Sequence, residues 1–136
     1  MNREECAGND MTDIRSHKDL DVWQTAMKLA EGCYVATRSF PREEMLGMSG
    51  QIRRASTSIA ANIAEGYGRE STASFIQFLR IAQGSQKELE THLLLASRVG
   101  LAETSVADPL LKDTESVGRM LRNLIRSLQA KLDTSR

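Results

Sequence analysis

At 136 residues the chain suits a single domain, long enough to bury roughly two-thirds of the surface that its unfolded form exposes. Lysine plus arginine and aspartate plus glutamate balance at 18 each, which excludes the overall positive field that drives indiscriminate nucleic-acid binding; a polyanion would have to meet a local patch. Cys6 and Cys33 stand far apart with no CxxC pair and no paired histidines nearby, which argues against a zinc site or a disulfide framework, so a reduced cytoplasmic protein is expected. The charged opening MNREECAGND does not read as a signal peptide, and no later segment is apolar for long enough to cross a bilayer, so no membrane partner is expected.

Residues 1–18 lack apolar periodicity and read as a flexible arm. A single bundle domain is expected over 19–133, with a short tail at 134–136. The first helix begins at Leu20 and carries Trp23, Met27, Ala30, Tyr34 and Thr37 on one stripe until Phe40-Pro41 stops it. The second starts between Arg42 and Met48, with Met48, Ile52, Ala55, Ile59 and Ile63 facing the core. Gly66 suits the left-handed position after its end, and GYGRE supplies the turn. Ser71 or Thr72 caps a third helix carrying Phe75, Phe78, Leu79, Ala82, Leu89, Leu93 and Ala96 to Gly100. Asp108 and Pro109 mark the cap and first turn of a fourth, which repeats Val117, Leu121, Leu124, Leu128 and Leu132. Four helices with short connections and no strand signal predict an all-α, antiparallel up-and-down four-helix bundle.

The second helix is unusual away from its core stripe. Its opposite side holds Arg54, Ser58, Ala61 and Glu65, flanked by Arg53, Thr57, Ala60 and Ala64, where a face turned only to water normally carries longer side chains. Small side chains let another backbone come close. The third helix has a matching oddity in Gly84, which costs about 1 kcal/mol relative to alanine in a helix interior and shares a side with Ile81, Glu88 and Leu95. Two second faces are more than a lone bundle requires, so a homo-oligomer assembled through the second and third helices is expected, with Glu65 and Glu88 as partners for Arg53 and Arg54 within or between subunits. The alternative is that the small residues reflect helix propensity and a tight interior.

FPREE at Phe40 to Glu44, QIRRA at Gln51 to Ala55, SIAANIAEG at Ser58 to Gly66, Arg69, and AQGSQKELE at Ala82 to Glu90 together resemble the S23, or 23S rRNA-intervening-sequence, proteins, small bacterial four-helix bundles. The resemblance runs from about Leu20 to about Gly100; MLGM at Met45 to Met48 departs from the family pattern, and the fourth helix matches only in periodicity. What it implies is a left-handed bundle, a ring-shaped homopentamer, and an association with RNA or DNA. Retroelement accessory proteins among its relatives are strongly basic, which this chain is not.

The sequence holds little catalytic material. A di-metal bundle needs paired Glu-x-x-His motifs, whereas only His17 and His92 exist and neither follows a glutamate by three residues; Glu88 and His92, four apart, could share a face. No GxGxxG or GxxxxGK[ST] segment cradles a nucleotide. No enzyme activity, metal or cofactor is expected. For a phosphate backbone the candidates are Arg119, Arg122 and Arg126, spaced along one helix face, with Lys131 beyond them; the competing reading is a solvated face whose cations favour the helix C-terminus. A non-catalytic binding protein follows, with nucleic acid as partner or, alternatively, a protein-interaction scaffold. Salt separates the two, because phosphate contacts weaken steeply as it rises.

Overall fold

The computed structural model describes residues 14–135, and in them the backbone is helical: α1 (Asp21–Thr37), α2 (Met48–Tyr67), α3 (Thr72–Arg98) and α4 (Thr104–Thr134), with 3-10 turns at His17–Asp19 and Arg42–Glu44. No strand occurs among the described residues. The arm expected over 1–18 is partly ordered, since the Asp19 carboxylate accepts from the Arg15 and Ser16 amides at 2.9 and 3.3 Å and Ile14 packs on the core. Residues 1–13 of that arm lie outside the described residues.

The buried stripe of α1 differs from the expected one. Val22, Ala26, Leu29, Ala30, Cys33 and Thr37 face inward, while Trp23 and Met27 are only partly buried and Tyr34 is 43% exposed. This helix carries two interleaved apolar series at helical spacing; the one with smaller side chains fills the interior, and the one with larger side chains flanks it. In α2 and α3 the expected stripes are buried except for Met48 and Phe78, which are partly exposed, and Ile52, Ile59, Ile63, Leu79 and Leu89 are fully enclosed, each contributing about 1.5–3 kcal/mol of apolar transfer.

Helix ends follow local chemistry. Ser71 caps α3 by accepting from the Ser74 amide. At its far end Gly100 adopts φ 82°, while the Leu101 amide reaches the Ala96 carbonyl at 2.9 Å and the Gly100 amide the Ser97 carbonyl at 3.2 Å. That is the two-bond glycine closure of a helix C-terminus. Gly66, assigned the left-handed role from sequence, instead lies inside α2 and is buried there. Its lack of a side chain admits Phe75 and Phe78, since a methyl at Gly66 would stand 2.6 Å from Phe78 Cβ.

The start of α4 is also earlier than Asp108-Pro109 predicts. The Val106 and Ala107 amides both bond the Glu103 carbonyl at 2.9 Å, and Ala107 and Leu110 are already buried. Pro109 sits within the helix; the ladder bond it forgoes would run to Ser105, which is exposed to water. Extending the buried stripe by a turn outweighs one solvated carbonyl.

Cross-contacts fix the relative level of the helices. Arg53 meets Thr37 and Ser56 meets Cys33 across α1 and α2; Ser58 meets Ser85 and Gly66 meets Phe75 across α2 and α3. Partners recede along one helix as they advance along the next, so neighbours in each pair run in opposite directions.

Candidate binding surfaces

The small side chains of α2 serve both of its flanks. Toward α3 they allow close approach: Ser58 Oγ and Ser85 Oγ share a 2.8 Å hydrogen bond, the Asn62 amide donates to the Ser58 carbonyl and hydroxyl at 2.9 and 3.0 Å, and Gly66 accepts the phenylalanines. Toward α1 they leave space. Thr57, Ala60, Ala61 and Ala64 form the floor of a groove whose other wall is Trp23, Met27, Tyr34 and Val35, enclosing about 700 Å³. His17 closes one end, where its ring meets Trp23 edge-on at 5.1 Å, and Glu31 and Arg38 supply its charged groups.

Arg53 helps to hold the upper wall. Its Nε donates to Thr37 Oγ1 at 2.9 Å, and its guanidinium lies 4.8 Å from the Tyr34 ring centroid, a cation–π contact. The carboxylates expected as arginine partners are engaged elsewhere within the chain: Glu65 pairs with Arg69 at 2.9 Å, and Glu88 faces His92 at 3.5 Å. Arg54 is exposed on α2. Of the other residues singled out for assembly, Ser58 is half-buried against Ser85, whereas Ala61, Ile81, Gly84 and Leu95 face outward; Ile81 is 52% and Leu95 46% exposed. A methyl at Gly84 would find no atom within 4 Å.

On α4, Arg119, Arg122, Arg126 and Lys131 are all exposed. From Thr104 to Glu115 that helix carries Asp108, Asp113 and Glu115 against Lys112 alone; beyond Ser116 only Asp133 offsets the four cations. None of the four takes part in an ion pair among the described residues, and Arg119 donates to Ser116 Oγ at 3.0 Å.

Other chemical groups are quieter. Among the described residues no three His, Cys, Asp or Glu gather as a metal-binding group. His92 Nε2 is buried without a hydrogen-bond partner. Burial pushes the Cys33 thiol up to about 12, against the opposing pull of its Ser56 hydrogen bond, which keeps it a neutral, unreactive thiol near neutral pH. No described helix is long and apolar enough to cross a membrane.

The groove wall is what periodicity alone hides. Trp23, Met27 and Tyr34 recur at core-like spacing, and only the competing Val22, Ala26, Leu29 and Cys33 series signals that one set must stay outside.

Over the described residues the protein is all-helical, with four principal helices and outward apolar surfaces on α1, α2 and α3. The chain belongs to the family of 23S rRNA-intervening sequence proteins, whose pattern matches residues 18–123. It is similar to a crystal structure of a protein of unknown function from the S23 ribosomal protein family of Bacteroides thetaiotaomicron, at 28% identity and a TM-score of 0.69 over 76% of this chain and 97% of that one. No curated protein matches the chain.

Proposed function

We propose that the protein is non-catalytic and acts in the cytoplasm by binding, as a ring-shaped homo-oligomer of left-handed antiparallel four-helix bundles that engages RNA or DNA through its phosphates. The observation that carries this reading is the row of exposed, carboxylate-free cations Arg119, Arg122 and Arg126 on the second half of α4. Arg80 of α3 is exposed at about the height of Arg122, because Gln86 donates to the Thr114 carbonyl and fits beside Gly118. A modest patch repeated around a ring gains by avidity on one long polyanion without needing a strong single site. The family resemblance supplies the number five, and the family's description supplies the interest in RNA.

The test is fluorescence anisotropy of a labelled single-stranded RNA titrated with protein across a salt series. Replacing Arg119, Arg122 and Arg126 by glutamate should abolish binding at low salt, and the wild type should lose affinity steeply as salt rises. Equal binding by both proteins, or affinity indifferent to salt, would refute the assignment. A second reading, a protein-interaction scaffold, draws on the apolar side chains exposed at one end of the bundle, where Leu46 is 94% and Val99 60% exposed beside Met45 and Leu95. An intact oligomer that binds no RNA at low salt would favour it.

A further inference from the structure

The α1/α2 groove and the outward side of α3 are two different apolar surfaces, and each lacks what the other offers. The groove is concave, with a floor of alanines and a threonine between the walls of Trp23, Met27, Tyr34 and Val35. The α3 surface is a ridge in which Ile81 and Leu95 project on either side of Gly84, whose Cα stands open to close approach. We propose that the occupant of the groove is the α3 ridge of a second copy of this chain, in a head-to-tail contact; the inference rests on the ring assembly proposed above and assigns its two faces.

Height along the bundle supports the assignment. The Arg53–Thr37 bond registers α2 on α1, and the Ser58–Ser85 bond registers α2 on α3. Counting residues along the helices from those bonds, Ile59 shares its level with Glu31 and Gly84, and Ala55 shares its level with Val35 and Glu88. By the same counting Ile81 and Gly84 are level with the middle of the groove and Glu88 with its Val35 end, while Leu95 lies past that end. A rotation about an axis parallel to the helices brings Ile81 and Gly84 to the groove without a slide along that axis, and a head-to-tail contact of this kind closes into a ring when its angle divides the full turn, whereas a slide would generate an open filament.

Charge agrees at the same level. Arg54, which takes part in no ion pair among the described residues, and Arg38 at the groove stand near the height of Glu88, whose side chain is 54% exposed and whose contact within the chain is His92 at 3.5 Å. Glu31, the groove's other charged group, sits nearer the level of Gly84, so the opposite charges meet at the Arg38 end of the contact.

Two variants test this. Ala61→Trp fills the groove and leaves the ridge; Ile81→Asp with Leu95→Asp spoils the ridge and leaves the groove. All three positions are exposed, and circular dichroism confirms that each variant is folded. By light scattering each variant alone should be monomeric, and an equal mixture should form heterodimers that grow no further, because one intact ridge meets one intact groove and the remaining pair is blocked. Wild-type protein that is itself monomeric would overturn the ring reading together with this one. An assembled wild type whose variants stay assembled singly, or whose mixture stays monomeric, would overturn the groove and ridge assignment alone.

Discussion

The two seams of α2 are built from the same kind of residue and end in opposite states. On the α3 side Ser58, Asn62 and Gly66 draw the helices together until hydroxyls bond and a glycine receives two aromatic rings. On the α1 side Thr57, Ala60, Ala61 and Ala64 face a wall of larger apolar residues held off by their own bulk. Small side chains permit closeness without enforcing it. What decides is the opposing helix: α3 brings a serine and phenylalanines onto the seam, whereas α1 turns Val22, Ala26, Leu29 and Cys33 inward and leaves Trp23 and Tyr34 standing at the edge.

The sharpest way to break the closed seam is Gly66→Ala. The added methyl meets Phe78 Cβ and the Phe75 backbone, neither of them a flexible side-chain tip; overpacking of about 1–3 kcal/mol exceeds the helix-propensity gain of about 1 kcal/mol, and the urea midpoint should fall. Next comes Ser58→Ala, which leaves the buried Ser85 hydroxyl without this partner and should cost about 1 kcal/mol. Adding Ser85→Ala should return part of that loss, so a double-mutant cycle in urea that shows no coupling would contradict the seam. Gly84→Ala, on the open outer face, should act with the opposite sign and stabilise the isolated subunit by about 0.8 kcal/mol, read from melts at low protein concentration. Ala61→Leu, on the groove floor, should shift subunit stability by less than about 0.5 kcal/mol. A large loss there would mean that the groove is part of the folded core.

Much of this contrast was legible before the fold was known, and its failures share a cause. The four helices, a cap at Ser71 or Thr72, most of the stripes of α2 and α3, and the odd bareness of Gly84 all follow from local periodicity and composition. Where two local rules competed, the sequence alone could not choose. Asp108-Pro109 satisfies every requirement of a helix start, yet the burial of Ala107 and Leu110 carries the helix a turn further back. Gly66 satisfies the requirements of a helix stop, yet Phe78 needs the space. In α1 either apolar series could have faced inward. For the binding surfaces, the arginine row of α4 is visible in the sequence, while the groove exists only once two helices are placed side by side.

The uneven charge along α4 has a directional consequence. Its first half is acidic and its second half basic, and every copy related by rotation about the bundle axis points the same way. An assembly of that symmetry cannot have two equivalent rims. It would be a polar object, with the arginine row of α4 on one side and the exposed Leu46 and Val99 end on the other, so that an extended polyanion would approach it from one side and any partner held by apolar contact from the other.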